Sequence, residues 1–268
     1  MKLYQVRDIV RENISQGTPA TAQAPAVPAM RPSEQFISFA LASGLREIEK
    51  AGNFYWMEAV KAFSLVVDQQ DYSIYTSTSG GLNIPNYKDS RILFASDQTL
   101  THPDWDEVIG PETIEEVKLE FADDDEGQPV VWTQKETGGG VAVTVDSTLS
   151  VWPPNPDKTY SMELHYFQWT SLPTDVTAET HEVLKRWPEA LIYLATEQAI
   201  LQATKDMQAA AWWRSLFQSD NPRAHTELKK IIRYNADRQH ATRIELRPRH
   251  GGLLSRRARW RRNREIWL

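Results

Sequence analysis

The chain has 268 residues, 41% of them hydrophobic, with no cysteine and a net charge of −6, enough for one large or two modest domains with a real core. The missing cysteines exclude disulfides, thiolate catalysis and cysteine-ligated zinc, and fit synthesis in a reducing cytoplasm. The charge divides into +7 on residues 243–268 and −13 on the rest, and an acidic body with a basic tail points to a separate partner for the tail. No run approaches the roughly 20 apolar residues that span a bilayer, so no membrane association is expected. The first residues lack the apolar core of a signal peptide.

Leu3, Val6, Val10 and Ile14 predict a short amphipathic helix. Residues 17–33 then set Pro19, Pro25, Pro28 and Pro32 among alanines, an extended or polyproline-like stretch that builds no core alone. Composition leaves it equally a linker or an arm to a neighbouring subunit. Ser33 is a good N-cap for a helix carrying Phe36, Ile37, Phe39, Ala40, Leu41 and Ile48 to about Ala51, where Gly52 and Asn53 stop it.

A β-rich block occupies 54–169. Residues 54–67 and 71–76 read as a hairpin across Asp68, Gln69 and Gln70. Ser90 to Ala95 is a short strand. Pro111 to Glu116 reads as a helix start, proline first and acids in the first turn. Gln128 to Gln134 and Val141 to Val145 read as strands paired across Gly138-Gly139-Gly140, with Thr148 to Trp152 next in the meander. Tyr160, Met162, Leu164 and Tyr166 alternate along a long final strand.

Residues 178–240 read as a helical frame broken near Pro188 and at 219–222. Ile192, Ala195, Ala199, Ala203, Met207, Ala210, Trp213 and Phe217 form one stripe at helical spacing, and its four alanines predict close backbone approach. Asn221 reads as N-cap and Pro222 as first residue of a last helix through Leu228, Ile231, Ile232 and Tyr234. The expected architecture is therefore α+β: an N-terminal helix and two C-terminal helices frame an inserted antiparallel β-rich domain, with an extended tail. The divisions are 1–33 (helix and Pro/Ala-rich arm), 34–53 with 170–242 (helical domain), 54–169 (β-rich domain) and 243–268 (basic tail).

Catalytic and metal motifs are sparse. Gly138-Gly139-Gly140 precedes a strand, whereas a phosphate loop opens a helix. Asp123 to Glu126 lacks calcium-loop spacing. The histidines show no helical zinc pair, and His165, out of phase with Tyr166, is expected at solvent or a subunit contact. No nucleophile elbow occurs. The expectation is no enzyme, no metal and no cofactor.

The tail is the strongest candidate site: Arg256, Arg257, Arg259, Trp260, Arg261, Arg262, Arg264, Ile266, Trp267 and Leu268. Arginine interleaved with tryptophan suits nucleic acid, an anionic surface or an acidic protein groove. The acidic body disfavours phosphates, and a peptide folding into a protein groove uses both the arginines and the apolar end. A carbohydrate-binding or carbohydrate-active β-domain protein, suggested by the tryptophans and acids, and a nucleic-acid-binding protein acting through the tail are the alternatives.

Several segments together resemble a known family: the Phe54-Tyr55-Trp56 stretch running to Tyr75, the Gly127 to Trp132 strand, Leu149 to Asp157 with its Trp152-Pro153-Pro154-Asn155-Pro156 turn, the Tyr160 to Tyr166 strand, Leu172-Pro173, and two helices with Asp206 and Trp213. In this order, over roughly residues 36–240, the chain resembles the adaptor, or head-to-tail connector, proteins of short-tailed bacteriophages. The resemblance implies a structural virion protein at the head-to-tail interface. Usually twelve copies form a ring under the portal, the helices surround the DNA channel, and the sheet domain faces the nozzle or tail-tube protein. Genomic DNA passes through without specific binding. The C-terminal segment threads into the portal, the position that Arg256 to Leu268 occupies here. The family has no catalytic residue to carry over, and the 17–33 segment matches nothing in its pattern.

Overall fold

The computed structural model describes residues 1–15, 32–75, 81–97, 105–122, 125–137, 146–219, 221 and 225–245. In chain order its elements are α1 (Leu3–Ser15), α2 (Glu34–Lys50), a 3₁₀ turn (Tyr55–Met57), β1 (Glu58–Ser64), β2 (Asp71–Ser73), β3 (Tyr87–Asp97), β4 (Trp105–Glu112), α3 (Ile114–Glu120), β5 (Val131–Thr137), β6 (Asp146–Trp152), β7 (Tyr160–Gln168), α4 (Glu182–Arg186), α5 (Pro188–Ala203), α6 (Met207–Phe217) and α7 (Glu227–Glu245). The α+β class holds, with helices on either side of an inserted sheet in the chain.

The stripe Leu3, Val6, Val10 and Ile14 is buried, so the amphipathic pattern of α1 faces the core as its spacing requires. Ser33 caps α2, its Oγ accepting from the Phe36 amide at 3.2 Å. Helix α5 is the hub, with α1, α2, α4 and α6 packed on it. Its Ala195 and Ala199 are buried and give the close approach expected of alanine. A Cβ added to Gly44 of α2 would sit 3.1 Å from the Ala195 backbone nitrogen, so glycine is needed there to let the two backbones meet.

The frame departs from the expected continuous stripe. The helix breaks at Lys205, where φ is +56°, and Asp206 restarts it by accepting from the amides of Gln208 and Ala209, both at 3.0 Å. Reorientation at that break leaves Met207 71% exposed and removes it from the packing face. Asn221 is not the N-cap of the last helix either, and Pro222 lies outside the described residues. Helix α7 begins at Glu227, and the Asn221 carbonyl is instead tied by Lys229 Nζ at 2.8 Å.

Among the described residues seven strands form one curled sheet in the order β1-β7-β3-β4-β5-β6-β2. It is antiparallel except between β4 and β5, where Ile109 pairs with Val131 in parallel. The expected β1–β2 hairpin is not a ladder: β1 pairs with β7 over seven residues, and β2 pairs with β6 over three. A turn does form between them, and the curl brings the two sheet edges together. The rings of Phe63 and Tyr72 lie 5.6 Å apart, and the Tyr72 hydroxyl accepts from the Val66 amide and donates to the Gln69 carbonyl. The local turn signal was correct, but the backbone bonds of both strands go to partners distant in sequence.

Two further expectations change. Pro111 and Glu112 lie in β4, with Glu112 paired to Thr133, and α3 starts only at Ile114, with Glu115 and Glu116 in its first turn. Gly110, at φ +151°, lies so close to Trp132 that an added Cβ would be 2.4 Å from that carbonyl, and this contact keeps the segment in the sheet. β5 pairs with β6 from Val131↔Trp152 to Thr137↔Asp146, so the stretch expected to follow a hairpin is itself the partner. Residues 138–145, including the expected strand at 141–145, lie outside the described residues. In β7, Tyr160, Met162, Leu164 and Tyr166 are buried as their alternation predicts. Among the described residues no helix is long and apolar enough to cross a membrane.

Candidate functional site

All ten predicted tail residues, Arg256 to Leu268, fall outside the described residues. What can be built from the structure is the junction on which the tail-bearing helix sits. It has two parts, both at the meeting of helices and sheet.

The first is a clamp on α7. The Asn235 side chain accepts from the Tyr55 amide and donates to the Asn53 carbonyl, each at 3.1 Å. One amide thus satisfies both orders of a backbone pair at the 3₁₀ turn, a double fit that apolar packing alone does not give. Ile231 of α7 is buried, with Leu228 and Tyr234 packed on the same cluster. Around them the aromatic rings interlock: Phe54 stacks on Trp56 at 4.5 Å, Trp56 meets Trp187 at 5.5 Å, and Trp187 meets Tyr234 edge-on at 5.2 Å. Arg238 lies 4.0 Å over Tyr55 and Arg186 lies 5.1 Å over Tyr234, placing cations on ring faces. The Tyr55 hydroxyl donates to Glu182 at 2.7 Å. That bond, with Arg186 and Lys185 beside it, holds the Glu182 carboxyl down at about 2, while burial and the same carboxylate push the Tyr55 phenol up.

The second part is a buried polar relay. Glu49, at the end of α2, is fully buried. It accepts from the Thr170 amide at 3.2 Å and from the Thr170 hydroxyl. Thr170 Oγ1 in turn lies 2.7 Å from His181 Nε2, and His181 Nδ1 accepts from the Val183 amide at 3.2 Å as the N-cap of α4. An acceptor at Nδ1 places the imidazole proton on Nε2, so the hydrogen bonds run from His181 to Thr170 to Glu49. Burial pushes the Glu49 carboxyl up, against the Thr170 bonds, and burial pulls His181 down to about 4. Lys88 of β3 donates to the carbonyls of Glu49 and Gly52 at 2.5 and 2.6 Å. Lys88 and Arg46 both sit over the Trp169 ring, at 4.9 and 4.6 Å. Helix, strand and the linker after β7 are therefore pinned by one charged cluster.

Carboxylate, hydroxyl and imidazole invite comparison with a hydrolytic triad, but the order is different. A nucleophilic hydroxyl needs the imidazole between itself and the carboxylate; here the hydroxyl is in the middle and donates to Glu49. The imidazole's second nitrogen is occupied by helix capping. The arrangement is structural.

Elsewhere the outcomes are modest. His165 is half-exposed, edge-on to Phe94 at 5.2 Å and 3.7 Å from Glu163, on the outward side of β7 as its phase predicted. Asp123 and Asp124 lie outside the described residues. Among the described residues no cluster of histidines and acids could hold a metal ion. Sequence reading did not single out Glu49, Thr170 or Asn235, and took Tyr55 only as part of the Phe54-Tyr55-Trp56 stretch. Glu49 and Thr170 are 121 positions apart, and no local spacing encodes such a contact.

The family model described as SU10 adaptor protein matches residues 5–244. It runs from α1 through nearly all of α7 and stops where the basic tail begins. No curated protein matches the chain.

Proposed function

The chain belongs to the SU10 adaptor protein family, a family of bacteriophage head-to-tail adaptors, and we propose that it forms a ring between portal and tail and is anchored in the portal by residues 256–268. The observation that carries this reading is the clamped α7 helix. It is fixed to the junction by Asn235 and the aromatic cluster, and ten residues separate its end at Glu245 from the Arg/Trp segment that starts at Arg256. A +7 tail leaving a −13 body is suited to an acidic groove on another protein. The helical layer then surrounds the DNA channel, as one of usually twelve copies, and the sheet faces the nozzle or tail-tube protein. DNA passes an acidic wall that has no use for phosphate contacts.

Magnitudes say how the anchor must work. Ordering 13 residues costs on the order of 13–26 kcal/mol in backbone entropy, an upper bound for fully free residues. Exposed ion pairs contribute about 0–1 kcal/mol each and cannot offset that. Trp260, Ile266, Trp267 and Leu268 must therefore be buried in the portal, with the arginines pairing bidentately around them. The test is attachment to DNA-filled, portal-bearing heads. Deleting 256–268 is expected to leave the body folded and abolish stable attachment, and Trp267→Ala to weaken it more than any single arginine change. Unchanged attachment of the truncated protein overturns the tail as anchor.

A further inference from the structure

Helix α6 is short of partners. Its sequence, Met207 to Phe217, is apolar on nearly every side, and a helix of that kind is ordinarily covered all round. Its inner face is: Ala209, Ala210 and Phe217 are buried. Its outer face is not. Met207 is 71% and Trp212 is 56% exposed. Trp212 stands edge-on to Trp213 at 4.7 Å, and Trp213 meets Tyr193 of α5 at 6.0 Å, which makes a stepped row of aromatic rings. Beside the row runs an open cleft of about 450 Å³ lined by Ala211, Arg214, Ser215, Gln218, Ser219 and Asn221. The one charge on α6, Arg214, is already engaged by Glu197 at 3.2 Å and Glu47 at 3.5 Å. Exposed aromatic rings beside a cleft of mainly polar side chains therefore suit an uncharged, extended occupant that offers apolar rings to the one and backbone carbonyls to the other.

One segment of the chain has that chemistry. Residues 16–30 carry no charge and consist largely of proline and alanine, with Val27 and Met30 among them. Proline-rich peptides bind rows of Trp and Tyr rings because their extended form is preset and loses little entropy on docking. The segment is also far longer than its ends require. Arg11 of α1 is paired with Glu34 at the start of α2, and Arg7 donates to Ser38 at 3.2 Å, so Ser15 and Ser33 lie about one or two helical turns apart and a few residues would join them. Sixteen residues at about 3.1 Å each make a contour of about 50 Å, which doubled back reaches about 25 Å. It also starts in the right place. Asn13 donates to Thr196 of α5 at 3.4 Å, and the next residue, Glu197, holds Arg214 of α6. Two helices packed on a common third have axes no more than about 20 Å apart.

We propose that the proline–alanine segment 16–31 docks on the outer face of α6 in its own chain, its prolines against Trp212, Trp213 and Tyr193 and its small residues along the cleft beside Ala211. Tethering at both ends gives an effective concentration of order millimolar, which favours the chain's own segment over that of another copy in solution. This does not depend on how the ring or the tail behaves.

The chain has no native cysteine, so paired labels are unique. Spin labels at Ala26→Cys and Ala211→Cys in the full-length protein are expected to give a narrow distance distribution below about 25 Å. That distribution should survive dilution with excess unlabelled protein. Adding Trp212→Ala should reduce the short-distance population by about 2- to 12-fold. The pair Ala26→Cys with Gln208→Cys repeats the measurement should a label at Ala211 disturb the cleft. A broad distribution at longer distances with both pairs overturns the proposal. So does a short distance lost on dilution, which would assign the face to another copy's segment, or one indifferent to Trp212→Ala, which would place the segment nearby but not on this face.

Discussion

The helical layer and the curled sheet are stabilised in different ways. Around α5 the core is mainly aliphatic: Leu41, Leu45, Ile48, Leu184, Leu191 and Leu194 are buried with alanines between them, and fit there is chiefly a matter of volume, with Thr196 and Glu197 of α5 the bonded exceptions. The sheet core instead uses Tyr72, Tyr87, Tyr160 and Trp132. Its phenols are bonded, Tyr72 to the Gln69 carbonyl where the curl brings the sheet edges together and Tyr160 to Asp157 at 2.6 Å just before β7. A buried phenol must find a partner, so the sheet is specified by directional bonds as well as by volume. The difference teaches where each layer is vulnerable: the helices to changes of size, the sheet to single-atom changes.

The largest effect should come from the helical side. Leu41→Ala, at a fully buried site between α2 and the rest of the layer, is expected to cost about 2–5 kcal/mol in urea unfolding. Gly44→Val should cost about 1–3 kcal/mol through overpacking, because even the first added carbon would press on the Ala195 backbone. A loss below about 1 kcal/mol from Leu41→Ala would mean that this core is loosely packed and would remove the contrast between the layers.

Legibility in the sequence followed the same division. Periodicity is a local signal, so α1, the Ser33 cap and the alternation of β7 could be read directly. The partners of β1 and β2 could not, because a turn between two strands says nothing about which strand each will ladder with. Asp206 was a readable N-cap, with Lys205 before it able to take positive φ at some strain, but the stripe through Met207 concealed it. The junction could be read least of all. Glu49, Thr170 and His181 become a unit only when the end of α2 meets the linker after β7. His181 was visible only as a histidine without a metal-ligand spacing. The tail still rests on composition, since Arg256 to Leu268 lie outside the described residues.

The joint between the layers offers an intermediate effect, read by pH. His181 is held at about 4, against an ordinary 6.5, by burial. Between those values the unfolded chain binds the proton more readily than the folded one, so stability falls as pH is lowered from about 6.5 to 4. The loss is at most about 3 kcal/mol. Glu49, pushed up by burial, acts in the opposite sense, since its protonation relieves a buried charge, and it offsets part of that loss. Below about 4.5 the depressed Glu182 carboxyl adds a second loss. His181→Asn keeps an acceptor for the Val183 amide but cannot titrate. Unfolding free energies measured from pH 7 to 4 should therefore have a shallower slope in this variant. Equal slopes would place the acid sensitivity elsewhere than at the joint.

The smallest effect tests the sheet's side of the contrast. The Tyr87 hydroxyl donates to Gln134 Oε1 at 2.6 Å and lies 2.6 Å from Ser90 Oγ, while Gln134 Nε2 donates to Ser147 at 3.2 Å. One phenol thereby links β3, β5 and β6. Tyr87→Phe keeps the ring and its contacts with Tyr75 and Tyr166 and deletes only the oxygen. No cavity of consequence is created, so a volume-only core would scarcely respond. A core specified by directional bonds leaves Gln134 without its donor and should lose about 1–2 kcal/mol. Adding Gln134→Leu removes the stranded acceptor and should recover part of that loss, a coupling that a double-mutant cycle measures directly. If Tyr87→Phe is as stable as the parent, the phenols of this sheet serve as bulk, and the two layers are held by the same means after all.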